Sequence, residues 1–334
     1  MSLATTSIFD HLPGVEVPVG DISTALSRVW EVPSTDPTVN LSEFRATQMN
    51  LILHLGLRAD PEEARELFET ALRFSRRYPC RILMLVPEVP ANEETLLSSK
   101  IFSECYIGKS GRERSCYEAI ILAYPPAARE FLEDQVSILL ENDLPTYYWQ
   151  YGFKETHRVN EYEFFFNVAR RVVYDSRKEG AQIREIEWVK PEIVRDLAVA
   201  SQLPVRQAIG QFLSRFEPGE LVRGLKRVRV RRSKKLEIEA LILRDWVKEA
   251  LSGCVELSEQ DLTAEFDCCP SGGVKEFELE LEFEYDDQRY FKWIANRKTG
   301  VAEIDADLGR GRNRIPTALK LFPLEDALAE ALLS

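Results

Sequence analysis

A general base at neutral pH is most often histidine, and the chain has three, His11, His54 and His157. His54 sits inside the apolar run Met49-Asn-Leu-Ile-Leu-His-Leu-Gly56, where a core imidazole satisfied by hydrogen bonds is the expected role. His11 falls in the N-terminal segment. His157, in the polar stretch Lys154-Glu-Thr-His-Arg158, is the one placed to reach a functional surface. No two histidines have the spacing of metal ligands. Nucleophile elbows of the Gly-x-Ser-x-Gly type, Walker A loops and Gly-x-Gly-x-x-Gly turns are all absent. The turn Gly56-Leu-Arg-Ala-Asp60 offers one glycine and an acidic helix cap, a poor cradle for a pyrophosphate. No catalytic, cofactor-binding or metal-binding residue is therefore assigned.

Cysteine chemistry is equally thin. The six cysteines (80, 105, 116, 254, 268, 269) are scattered, and three of them lie beside or within apolar runs. Cys268-Cys269, in Asp267-Cys-Cys-Pro-Ser-Gly-Gly273, reads as an unreactive loop pair, because Asp267 opposes thiolate formation.

What remains is binding chemistry. Lys226-Arg-Val-Arg-Val-Arg-Arg-Ser-Lys-Lys235 reads as a strand with Val228 and Val230 inward and a cationic outer face. That face suits an acidic protein surface or phosphates. In Gly309-Arg-Gly-Arg-Asn-Arg314 the arginines alternate, so Arg310, Arg312 and Arg314 share one side of an extended segment and can form an anion-binding row. Asp143-Leu-Pro-Thr-Tyr-Tyr-Trp149 carries more aromatics than one core face needs. With Asp143, Leu144 and Pro145 leading the strand, Tyr147, Tyr148 and Trp149 are candidate contacts, since aromatics concentrate where proteins meet.

These segments need elements to hold them. Asp60-Pro61-Glu62-Glu63 is a helix start, with an aspartate cap and proline in the first turn. Flanked by buried-strand runs at 49–56 and 81–86, it makes a βαβ crossover. Strands at 117–124, 144–149 and 171–174 continue the pattern, with a helix after Pro125-Pro126 directing Ala128, Phe131, Leu132, Val136 and Leu139 inward. A short helix over 161–169 follows. The second half changes period. Helices are expected near 191–200, 204–215 and 236–251. From Val274 apolar residues alternate with glutamates, the mark of an antiparallel strand with one wet face. Strands follow at 290–296 and 301–307, and a closing helix at 324–333. The expected fold is an α/β N-terminal domain with a mainly parallel sheet, followed by an α+β C-terminal domain with antiparallel strands. The division is an N-terminal helix and linker over 1–40 (the linker at 32–38), the α/β domain over 41–185 and the α+β domain over 186–334.

Composition bounds the function classes. In 334 residues with 45% hydrophobic content the chain has the makings of two ordinary domains. A net charge of −12 argues against bulk nucleic-acid binding, which depends on lysine and arginine. No apolar run approaches a membrane span, and the N-terminus lacks the pattern of a signal peptide. A cytoplasmic protein without membrane or nucleic-acid partners is expected.

Several segments together resemble the glucose-6-phosphate dehydrogenase assembly proteins, the OpcA family. They are Tyr78-Pro-Cys-Arg-Ile-Leu-Met-Leu-Val-Pro87, Asn142-Asp-Leu-Pro-Thr-Tyr-Tyr-Trp149, Arg171-Val-Val-Tyr-Asp-Ser176, and the arginine-rich strand and turn leading to the closing helix. The resemblance runs over about residues 20–334 and is weakest at 185–275. It implies a non-catalytic partner of glucose-6-phosphate dehydrogenase that promotes its active assembly in the oxidative pentose phosphate pathway, with no cofactor of its own. For photosynthetic bacteria it also implies a link to thiol redox control. Two other readings stand beside it. One is a sugar-phosphate enzyme, a lactonase or isomerase, using Asp175, His157 and the arginine row. The other is a nucleic-acid binder acting through 226–235.

Overall fold

The computed structural model describes residues 7–31, 47–88, 97–107, 114–153, 156–258, 261–270, 278–296 and 299–334. The expected linker at 32–38, the beginning of the strand expected from Val274, and the side chains of His157, Cys105 and Cys116 lie outside what is described. The chain divides into two compact units, residues 1–197 with 324–334, and residues 198–323.

The first unit opens with α1 (Ile8–His11), β1 (Val15–Glu16) and α2 (Ile22–Glu31). Next come β2 (Met49–Leu55), α3 (Pro61–Arg77), β3 (Cys80–Pro87), β4 (Ser98–Ile107), β5 (Arg114–Tyr124), α4 (Arg129–Leu139), β6 (Thr146–Tyr151), α5 (Glu163–Val168), β7 (Ala169–Tyr174), α6 (Ser176–Glu179) and β8 (Val194–Asp196). They form an eight-stranded sheet in the order β1-β4-β5-β3-β2-β6-β7-β8. From β5 to β8 every neighbouring pair is parallel, and β4 and β1 extend one edge antiparallel. Strands β2, β3 and β6 are buried along their whole length. That is the reason their sequences read as apolar runs and not as alternations. At the start of α3, Asp60 accepts the Glu63 backbone N–H at 2.9 Å, as the aspartate-proline signature predicts.

In the second unit α7 (Leu197–Ser201), which straddles the boundary, is followed by α8 (Leu203–Leu213), α9 (Pro218–Val222), β9 (Leu225–Arg232), α10 (Glu237–Ser258), β10 (Glu265–Pro270), β11 (Glu278–Tyr285), β12 (Tyr290–Asn296), β13 (Val301–Asp307) and β14 (Asn313–Ala318). The six-stranded sheet runs β10-β9-β11-β12-β13-β14, antiparallel except for the β9–β10 pair. Its inner face carries Val228, Val230, Leu281, Phe283, Phe291, Trp293 and Ile304, which share one core with Ile209 and Phe212 of α8 and Leu243, Val247 and Leu251 of α10.

Several details differ from the sequence expectations. Residues 186–197 belong with the first unit, and so does the closing helix α11 (Leu324–Leu333). The apolar stripe of α11 (Ala327, Leu328, Ala331 and Leu332) needs a buried partner. It packs on α3, where Arg77 pairs with Asp326 at 2.7 Å and Arg73 with Glu325 at 3.6 Å. Phe131, expected inward, is 39% exposed, one residue and so about 100° around the helix from the buried Leu132. Residues 191–200 form a turn, a short strand and a short helix in place of one helix. The Cys268-Cys269 segment is strand β10, not a loop. Register places Cys269 beside Arg231 on the outer face, while Cys268 packs against the core, so successive side chains of a strand send these two thiols to opposite faces.

Candidate interaction face

In an open parallel sheet, ligands bind beyond the carboxyl ends of the strands where the strand order reverses direction. Here that reversal lies between β2 and β6. The crevice is closed. Gly56 N–H donates to Tyr151 O at 2.6 Å and Arg58 N–H to Gly152 O at 2.8 Å, joining the two loops backbone to backbone. A Cβ on Gly56 would overlap Gly152 O and the Phe153 backbone, so only glycine permits this approach. A Glu179 carboxyl oxygen of α6 accepts the Gly152 N–H, so this loop donor is already taken by the protein. Burial pushes the Glu179 carboxyl up to about 7, against the pull of the Gly152 N–H and Arg58. Gly56→Ala is expected to cost about 1–3 kcal/mol, the usual penalty for forcing atoms into packed space. A urea titration reads it, and an unchanged midpoint would count against the clamp.

His54 takes the core role expected of it. Its Nδ1 lies 2.7 Å from the Tyr148 hydroxyl and its Nε2 2.6 Å from that of Tyr124, which in turn meets Tyr162 at 2.9 Å. A neutral imidazole donates through one nitrogen and accepts through the other, so this pair of hydroxyls satisfies it in full. The rings of Phe153, Tyr162 and Phe165 complete the enclosure. Desolvation pulls the imidazole down to about 3, so it stays neutral.

The aromatic candidates are corrected by burial. Tyr147, Tyr148 and Trp149 are 4%, 0% and 0% exposed, and none presents a surface. Their strand β6 lies between β2 and β7 and is covered on both faces, so its alternate aromatics fill two cores. Of the same stretch only Asp143 is exposed, with Leu144 and Pro145 half-buried. Asn50 pins this turn through Glu141 O at 3.0 Å and the Glu141 N–H at 3.1 Å. Asp175 caps α6 and pairs with Arg177 at 2.7 Å.

The arginines at 310–314 are exposed and those of β9 are half-buried, but they are not bare cations. Cross-strand register sets Asp267, Arg229, Glu282, Lys292, Asp305 and Arg314 side by side across all six strands of the second sheet. Charge alternates along the whole row. One step away on the same face run Glu265, Arg227, Glu284, Tyr290 and Asp307, and on the other side Arg231, Glu280 and Glu303. Opposite charges directly across a strand pair attract, whereas like charges would repel. Arg231 bridges Glu280 and Glu282 at 2.7 Å each, and Lys292 reaches Glu282 at 2.9 Å. Burial works to raise the Glu282 carboxyl, yet Lys292 and Arg231 hold it below the usual range. Arg227 contacts Glu265 at 2.9 Å and Asp267 at 3.4 Å. Arg312 forks onto Asp305 at 2.5 and 3.0 Å, and Arg314 meets Glu303 at 2.7 Å.

Arg310 departs from the expected planar row. It turns to Glu220 at 2.7 Å and to Arg215 O at 3.1 Å, with its guanidinium 5.2 Å from the Phe216 ring centre. The positive φ of Gly309 and Gly311 bends the segment and breaks the simple alternation. Sequence reasoning missed that glutamates on β11 and acids on β13 neutralise the basic clusters. The Glu-x-Glu alternation at 278–284 was the available signal. Among the described residues, no group of three or more His, Cys, Asp or Glu is placed to hold a metal, and no helix is long and apolar enough to cross a membrane.

The chain is thus an α/β unit with a closed switch-point crevice, joined to a mainly antiparallel unit with a charge-matched sheet face. Residues 71–190 match the family model described as glucose-6-phosphate dehydrogenase subunit N-terminal domain. Over this domain, which runs from within α3 past α6, the chain is similar to the OpcA glucose-6-phosphate dehydrogenase assembly family. No curated protein matches the chain.

Proposed function

We propose that the chain is a non-catalytic, cytoplasmic partner of glucose-6-phosphate dehydrogenase that binds it and favours its active oligomer. The family domain at 71–190 carries this reading. The closed β2–β6 crevice agrees with it, because it leaves the sugar-phosphate enzyme reading without a pocket at the usual place. A partner of this kind acts through differential affinity. It shifts the dehydrogenase toward the conformer or oligomer it binds more tightly, by no more than that difference.

The outer face of the six-stranded sheet, with Arg312 and Arg314 at its β14 edge, is the contact surface we assign. Paired charges there select a partner by complementary pattern and speed encounter, more than they add affinity. The test mixes the purified chain with the dehydrogenase of the same organism. Co-elution and a change in substrate saturation or oligomer size are expected. If the mixture elutes as two separate species with unaltered kinetics, the reading is wrong. The double variant Arg312→Gln/Arg314→Gln is expected to slow association and weaken the complex at least tenfold, while its own thermal unfolding changes little because exposed ion pairs contribute only about 0–1 kcal/mol each. Full binding by that variant would move the contact off this face.

A further inference from the structure

We infer that the second unit carries a binding site for a small uncharged molecule with an aromatic or alicyclic body, in the cavity enclosed by α8, α9 and α10. The cavity measures about 410 Å³, within the range of small-molecule sites. Its walls are Leu213 of α8, Leu221 of α9, Trp246 and Leu251 of α10, and Phe216 from the α8–α9 turn, over a floor formed by Phe283 of β11. Three of these six are aromatic, so the walls favour a flat or ring-shaped guest over a flexible chain.

Two features explain why the space stays open. Gly210 of α8 presents no side chain toward Trp246, whose nearest atom would be 4.0 Å from a Cβ there. On the other side Arg310 holds Phe216, stacking on its ring while tied to Glu220 and Arg215 O. Glu220 also accepts the Glu217 N–H at 3.0 Å, which fixes the start of α9. Arg310, singled out in the sequence as an anion-binding candidate, is here a positioning residue for the cavity wall.

Polarity at the mouth sets the ligand class. The polar side chains there are Ser214 and Glu217, and no lysine, arginine or histidine is among the lining residues. Ser214 also ends α8, so the negative end of that helix lies at the same mouth. A carboxylate or phosphate would meet two sources of negative potential, and Arg310, behind Phe216, is already engaged by Glu220 and Arg215 O. An uncharged guest meets neither penalty.

The site is independent of the dehydrogenase reading, and it is tested on the full chain alone. N-phenyl-1-naphthylamine, a neutral fluorescent probe, is titrated into the wild type and into Ala250→Trp and Ser214→Trp. Both positions are exposed at the rim, so an added indole blocks the mouth without disturbing the core. Saturable single-site binding, weakened at least tenfold in either variant with thermal unfolding unchanged, is expected. Absence of saturation in the wild type, or equal affinity in a folded blocked variant, overturns the site. The anionic analogue 1-anilinonaphthalene-8-sulfonate is expected to bind at least tenfold more weakly, with Glu217→Gln narrowing the gap. Equal binding of the two probes overturns the ligand class.

Discussion

Trp149→Ala is expected to lower the unfolding free energy by about 3–5 kcal/mol, the range for removing a large aromatic side chain from a packed core. Trp149 is fully buried on β6, and its Nε1–H has no hydrogen-bond partner. The indole therefore contributes by filling space, and its one polar group is a cost. Trp149→Phe is accordingly expected to lose less than about 1.5 kcal/mol, since it keeps most of the volume and removes the unpaired donor. Urea unfolding of the two variants measures the contrast. A contact residue on a surface would behave in the opposite way, with truncation sparing stability and weakening the dehydrogenase complex. If Trp149→Ala unfolds like the wild type yet loses its partner, the burial argument is wrong.

Acid is expected to destabilise the first unit through His54. The imidazole is held near 3 in the folded chain, against an ordinary value of about 6.5 when unfolded. Between those values the unfolded chain binds a proton that the native state refuses. The stability that His54 contributes is full above pH 6.5 and is lost as pH falls, by about 1.4 kcal/mol per pH unit. Glu179 acts in the opposite sense. Its carboxyl is raised to about 7 from the ordinary 4.5, so across that window the native state holds the extra proton and stability falls as pH rises. The two slopes oppose each other from pH 4.5 to 6.5.

Glu179→Gln removes the opposing slope and is the background in which to look. There the urea midpoint of the first unit is expected to fall steadily from pH 6.5 to 4.5. Adding His54→Leu should flatten that window, while lowering stability at pH 7.5 because the Tyr124 and Tyr148 hydroxyls lose a partner. An acid slope that survives the His54 substitution would show that the imidazole is not its source.

By itself the sequence determined the two kinds of sheet, the Asp60 cap, the core place of His54, the inward Val228 and Val230, and the absence of a phosphate loop. Each of these is local: a periodicity, a cap or a turn residue is set by neighbours along the chain. Tertiary structure decided what depends on pairing between distant segments. Strand β6 looked over-supplied with aromatics because it is buried on both faces, and two-sided burial follows from strand order, which no local pattern encodes. Arg227, Arg229, Arg231, Arg312 and Arg314 looked like free cations because their carboxylate partners lie from 7 to 57 residues away, brought alongside only by register. The closing helix joined the first unit for the same reason, as its apolar stripe finds α3 some 250 positions earlier, with Arg77 and Asp326 separated by 249. Spacing along the chain specifies which elements form, while the burial of their faces decides which neighbours they take.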